Sequence, residues 1–162
     1  MEKAYLILDN GTVFEGERIG APFAAYGEIA YSTACVGYTQ AITDKANAGK
    51  LLLWTFPMAG NYGVSEDEAE QDTVVFGFIA RECCDTPSNF RCKYTLNEYL
   101  LEKGIPGIVG IDTRALMAIL REQGSMRAAI ASSADVKLVS EGIHKPKEKD
   151  NGGLTESWWI NA

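Results

Sequence analysis

Residues 107–130, GIVGIDTRALMAILREQGSMRAAI, constrain the fold more than any other stretch. The apolar run 108–111 is β-branched and too short for a helix, so it reads as a buried strand. Asp112 or Thr113 then offers a side-chain oxygen to the free N–H groups of a following helix. Leu116, Ile119 and Leu120 recur on one helical face, while Arg114, Arg121 and Glu122 point elsewhere. Gly124 can take the left-handed conformation that ends a helix, and 126–130 reads as a second strand. Strand, capped helix and strand within 24 residues imply a helix packed on a sheet, with the fold closing here. The single acid in this run, Asp112, reads as a helix cap, so the stretch carries structure and no chemistry.

The first half of the chain is β-rich. Asn10-Gly11 lies between the runs 5–8 and 13–17, a hairpin signal in which both residues tolerate positive φ. Residues 27–35 alternate Ile29, Tyr31 and Thr33 against Glu28, Ala30 and Ser32, a strand with one wet face. Residues 39–43 suggest a short helix. The runs 51–56 and 73–80 read as buried strands, the second broken by Gly77. Between them, 58–64 (MAGNYGV) reads as a tight surface turn, since no dinucleotide or P-loop fingerprint accompanies its glycines. Ser65 with Glu68 and Thr95 with Glu98 fit capping boxes. The acids of 65–71 otherwise read as a solvated face. Leu96, Tyr99 and Leu100 form the apolar side of the second capped helix. Together these elements predict an α/β fold with one antiparallel sheet and one more parallel sheet, helices on one side.

At 162 residues the chain is one domain, 1–133, with a linker-like tail over 134–162. The tail holds KPKEKDNGG and ends in Trp158-Trp159-Ile160, read as docking on the domain's own surface, with a partner's surface as the alternative. A net charge of −7 argues against nucleic acid and anionic lipid as partners. No apolar run is long enough to span a bilayer and no secretory signal opens the chain, which points to the cytoplasm. Cys35, Cys83, Cys84 and Cys92 lack zinc-site spacing and read as reduced thiols. Arginines in the loop 81–93 would favour a thiolate, but no histidine stands near as base, so nucleophilic catalysis there is the weakest of the readings. No metal or cofactor is implied.

LDNGTVFEGERIG, STACVGYTQAITD, TFPMAGNYGV, CDTPSNFR and GIPGIVGIDTRALMAILREQG follow one another in an order that resembles the N-terminal domain of the small subunit of glutamine-hydrolysing carbamoyl phosphate synthase. The resemblance covers residues 4 to about 132. It implies a three-layer β/β/α fold of the swivelling-domain type. In that family the enzyme makes carbamoyl phosphate from glutamine, bicarbonate and ATP for pyrimidine and arginine synthesis. The small subunit hydrolyses glutamine and passes ammonia to the large subunit. Its glutaminase domain, C-terminal to this one, needs a cysteine in a G-x-C-x-G setting, and none of the four cysteines has it. The resemblance therefore implies an accessory domain without catalytic residues, partnered by the large subunit and a glutaminase domain. A stand-alone, self-associating module is the alternative. In the family, a T-D-P-S-Y loop lends its serine to the glutamine site at the domain boundary. Here Ala46 stands at that position, so the hydroxyl is gone. Tyr38, Asn61, Asn89 and Arg91, from the matching motifs, join Trp158 and Trp159 as interface candidates.

Overall fold

The computed structural model describes residues 2–34, 37–60, 63–84, 93–124 and 126–132. The hairpin signal is realised by β1 (Lys3–Leu8) and β2 (Val13–Gly20), paired antiparallel from Lys3↔Glu17 to Ile7↔Val13. Its loop differs from the expected one. Only Gly11 takes positive φ, at 90°, while the Asn10 side chain accepts a hydrogen bond from the Thr12 N–H at 2.9 Å. Asparagine thus serves as an Asx-turn acceptor and glycine alone supplies the left-handed residue.

The remaining ladder strands are β3 (Ala25–Ser32), β4 (Leu51–Trp54), β6 (Gly77–Ile79), β8 (Pro106–Val109) and β9 (Arg127–Ala131). With β1 and β2 they close a barrel in the order β1-β2-β8-β6-β4-β3-β9. The pairs β3/β4, β4/β6 and β6/β8 are parallel, and β1/β2, β1/β9, β2/β8 and β3/β9 are antiparallel. The expected antiparallel and parallel sheets are therefore two arcs of one sheet. They join because β2 pairs with β8 and β3 with β9, so neither arc keeps an open edge with unpaired N–H and C=O groups. Those pairings link residues about 90 to 100 apart in sequence, beyond the reach of local pattern. A separate parallel ribbon pairs β5 (Met58–Ala59) with β7 (Glu82–Cys83).

The two-residue period of the strands sorts their side chains. Leu6, Leu8, Ala25, Ile29, Leu51, Leu53, Ile79, Ile108, Ala128 and Ile130 pack together inside the barrel, with Phe14 partly buried against them. Their neighbours Leu52, Trp54, Phe78, Ala80 and Val109 face outward and pack under α1 (Tyr38–Thr43) and α3 (Leu96–Glu102). Each buried leucine or isoleucine contributes roughly 1.5–3 kcal/mol relative to exposure.

Gly77 does not break its strand. It pairs with Leu51, and a Cβ there would lie 2.8 Å from Leu51 Cδ2 and 2.9 Å from Ile130 Cδ1. The glycine makes room for the barrel interior. Residues 73–76, expected within that strand, precede it.

The opening stretch forms α4 (Thr113–Gln123), capped by Asp112, whose carboxylate accepts from the Ala115 N–H at 3.1 Å. Gly124 ends it at φ 78°. Its role differs from a helix laid on a sheet. β8 and β9 are not neighbours in the barrel, so α4 crosses the barrel mouth, and Leu116, Met117 and Leu120 join the interior cluster. It is a plug.

Candidate functional site

The carboxyl ends of the parallel strands β3, β4, β6 and β8 open at the barrel end that α4 crosses. There the chain after β6 changes partners. Ala80 N–H still bonds Ile108 O (3.0 Å) and Arg81 O still accepts from Gly110 N–H (2.8 Å), both on the β8 side. The next amide, of Glu82, bonds Pro57 O at 3.1 Å, on the β5 side. Between the diverging segments lies a groove of about 580 Å³ lined by Arg81, Glu82, Gly110, Ile111, Asp112 and Arg114. Ile111 is buried, and the four charged residues are exposed. Asp112 is held as the α4 cap. Among the described residues neither guanidinium has an ion-pair partner. Crevices at the carboxyl ends of parallel strands are where α/β folds commonly bind ligands.

Beside α1, polar residues knit the short helices together. α2 (Glu66–Ala69) starts with the expected Ser65/Glu68 capping box. Glu68 is not part of a solvated face. Its Oε2 accepts from Ser65 N–H at 2.9 Å, and its Oε1 accepts from the buried Thr39 hydroxyl at 2.9 Å, tying α2 to α1. Glu66 does face solvent and pairs with Lys93 at 2.8 Å. That hydrogen bond and charge hold the Glu66 carboxyl below its ordinary range and Lys93 above its own. The Thr95/Glu98 capping box also forms.

At the opposite end, the Arg18 guanidinium is buried. It donates to Ala21 O (3.0 Å), Phe23 O (2.8 Å) and Ser132 Oγ (2.8 Å). Burial pulls it below its ordinary pKa, and Glu2, 4.0 Å away, opposes that. Sequence reading missed Arg18. The available signal was an arginine beside Ile19 in a strand whose other charges alternate outward.

The expected interface residues are distributed unevenly. Tyr38 is a core residue, 1% exposed: its hydroxyl donates to Gly63 O, and its ring meets Trp54 edge-on at 6.1 Å. As a surface contact Tyr38 is corrected, because the aromatic ring fills the layer between α1 and β4. Ala46 lies exposed in a 3₁₀ turn (Lys45–Asn47) before β4. Asn61, Asn89, Arg91, Trp158 and Trp159 lie outside the described residues, as does the tail 134–162. Of the turn 58–64, Ala59, Gly60, Gly63 and Val64 are buried and Val64 bridges to Tyr94, while residues 61 and 62 lie outside the described residues. Cys83, within β7, and Cys84, which follows it, are half-buried. Among the described residues no group of His, Cys, Asp and Glu is placed to hold a metal, and no helix is long and apolar enough to cross a membrane.

Comparison with known proteins places this architecture. A carbamoyl phosphate synthase small chain from Lactococcus lactis is 41% identical over 83% of this chain and 38% of its own length. The pyrimidine-specific small chain of Bacillus subtilis is 41% identical over 88% of this chain and 40% of its own. The small chain of Archaeoglobus fulgidus is 43% identical over 89% of this chain and 41% of its own. The chain thus spans about two fifths of the length of the relatives it matches. The family model for the CPSase domain of the carbamoyl-phosphate synthase small chain matches residues 6–130, from the second half of β1 through β9, and the chain belongs to that family.

Proposed function

We propose that this chain is a non-catalytic accessory domain of glutamine-dependent carbamoyl phosphate synthase, acting in the cytoplasm in pyrimidine or arginine synthesis. It packs against the large subunit and supports a glutaminase domain that this sequence does not contain. The carrying observation is a match that fills most of this chain but only two fifths of its relatives. In this reading the domain boundary falls near 133, and the antiparallel arc, the parallel arc and the outer helices α1 and α3 are the three layers of a β/β/α swivelling-type domain.

The placement of Ala46 supports the orientation of that assembly. Ala46 precedes β4, at the amino ends of the parallel strands. β9 runs antiparallel to β3, so Ser132 leaves the barrel at this same end. A domain joined after β9 would meet the turn that carries Ala46, where the family places its glutamine-site serine. The exposed Phe23 stands at this end too.

Co-purification of the tagged 162-residue chain from its native host tests the reading. Recovery of a carbamoyl phosphate synthase large subunit is expected. Recovery of the chain by itself as a defined oligomer would overturn it in favour of a self-assembling module.

A further inference from the structure

We propose that the groove at the carboxyl ends of β6 and β8 is a binding site for a small oxyanion, a phosphate or a carboxylate, held by Arg81 and Arg114. Three observations carry this. The groove is built by the backbone: Arg81 is pinned to the β8 side through its carbonyl and Gly110, while Glu82 is pinned to Pro57. The separation of those two segments therefore belongs to the hydrogen-bonding pattern. The two guanidinium-bearing residues come from different elements, one from the β6–β7 junction and one from the first turn of α4, yet line one concavity. In a chain of net charge −7, both lack ion-pair partners among the described residues, while carboxylates are abundant.

The acids of the groove set its selectivity. Asp112 spends its carboxylate on the Ala115 N–H, which orients it along α4. Glu82 has no such engagement among the described residues, so one negative charge faces the two positive ones. The balance favours a compact anion that arginine can grip through two parallel N–H···O bonds. It disfavours an extended polyanion, which Glu82 would repel.

The test is titration of the full 162-residue chain with inorganic phosphate and, separately, with succinate. Sodium chloride holds ionic strength constant, and binding is followed by backbone amide shifts. Saturable movement of the Gly110 and Arg114 amides is expected with at least one probe. Saturation by phosphate alone assigns a phosphate site, and saturation by succinate alone a carboxylate site. Arg81→Gln and Arg114→Gln alter exposed side chains, so the unliganded melting temperature should hold while affinity falls roughly ten-fold or more. Glu82→Gln should tighten binding, a gain that a purely structural role for the groove would not produce. Absence of saturation with both probes would overturn the proposal. So would wild-type affinity in the two arginine variants, or weaker binding in Glu82→Gln.

Discussion

Closure of the barrel rests on how closely β2 approaches β8, and Gly16→Ala measures it. A Cβ at Gly16 would stand 2.3 Å from Val109 O and 3.0 Å from both Ile108 Cγ1 and Ile111 Cγ2. An ordinary carbon–oxygen contact is about 3.3–3.6 Å. The strands would therefore have to part by about 1 Å, or tilt, at the seam where the antiparallel arc meets the parallel one. The colliding oxygen belongs to backbone, so no rotamer change relieves it. Overpacking of this kind costs about 1–3 kcal/mol. Replacing glycine by alanine in a strand otherwise gains about 0.5–1 kcal/mol, because the unfolded chain loses freedom. Gly16 has no positive φ to offset that gain, so the sign of the change reports the steric term directly. A net loss of about 1 kcal/mol is expected, which lowers the melting temperature by roughly 2–4 °C. Urea and thermal denaturation would measure it, with amide exchange at Val109 and Ile19 reporting loss of the β2–β8 ladder. Gly104→Ala is the control. It has φ 69° and no neighbour within 4 Å, so it carries backbone strain of about 1–2 kcal/mol without a clash. An unchanged or raised stability in Gly16→Ala would refute the close seam, and with it the closed barrel.

Two further outcomes follow from buried groups. Arg18→Met should destabilise the chain by about 3–5 kcal/mol, because two carbonyls and the Ser132 hydroxyl lose their donor; Arg18→Lys should recover little, since one ammonium cannot reproduce the fork, and full recovery by lysine in urea denaturation would refute the clamp. Burial pushes the phenols of Tyr26 and Tyr99 up from 10.0 to about 12, with Glu68 adding to the shift at Tyr99. Folding thus favours their neutral forms, a contribution complete below pH 10 and lost as pH rises from 10 towards 12. Absorbance titration at 295 nm should show a lagging tyrosine fraction that disappears in the Tyr26→Phe/Tyr99→Phe double variant. Persistence of the lag in that variant would place it elsewhere.

What was legible in the sequence was local. Asp112, Ser65/Glu68 and Thr95/Glu98 cap their helices as the spacing requires, because a cap depends on residues three positions apart. β4 and β8 were legible from short β-branched or aliphatic runs. The misreadings share a cause in long-range packing. Gly77 looks like a break until Leu51 and Ile130 are seen to need its space. Tyr38 looks like a contact residue until Trp54 and Gly63 enclose it. Glu68 looks solvated until Thr39 arrives from 29 residues away. Likewise α4 looked like a helix lying on a sheet, because nothing in its own pattern states that β8 and β9 stand on opposite sides of a closed ring. Of the candidate site, the arginine-lined groove was not legible at all. It arises where one strand exchanges partners, a property of pairing with no local signature.

The two barrel ends divide these features by a topological rule. Every strand of the parallel arc starts at one end and finishes at the other, so its crossovers must return along the outside, where α1 and α3 bury the outward face of the arc. The starting end gathers Arg18, the exit at Ser132, Phe23 and the turn of Ala46. There a buried guanidinium holds Ser132 at the point where the chain leaves the barrel. The finishing end gathers the groove, α4 and the exposed rings of Tyr31 and Phe56. Its segments are held by backbone bonds to β8 on one side and to the β5/β7 ribbon on the other, so exposed side chains there can change without opening a seam. A change at Arg114 should therefore leave the fold intact and act on whatever the groove receives, whereas a change at Arg18 should loosen the point where the chain departs. The two arginines divide the barrel accordingly: among the described residues Arg114 is exposed without an ion-pair partner, whereas the terminal guanidinium nitrogens of Arg18 are buried and bonded to Ala21 O, Phe23 O and Ser132 Oγ.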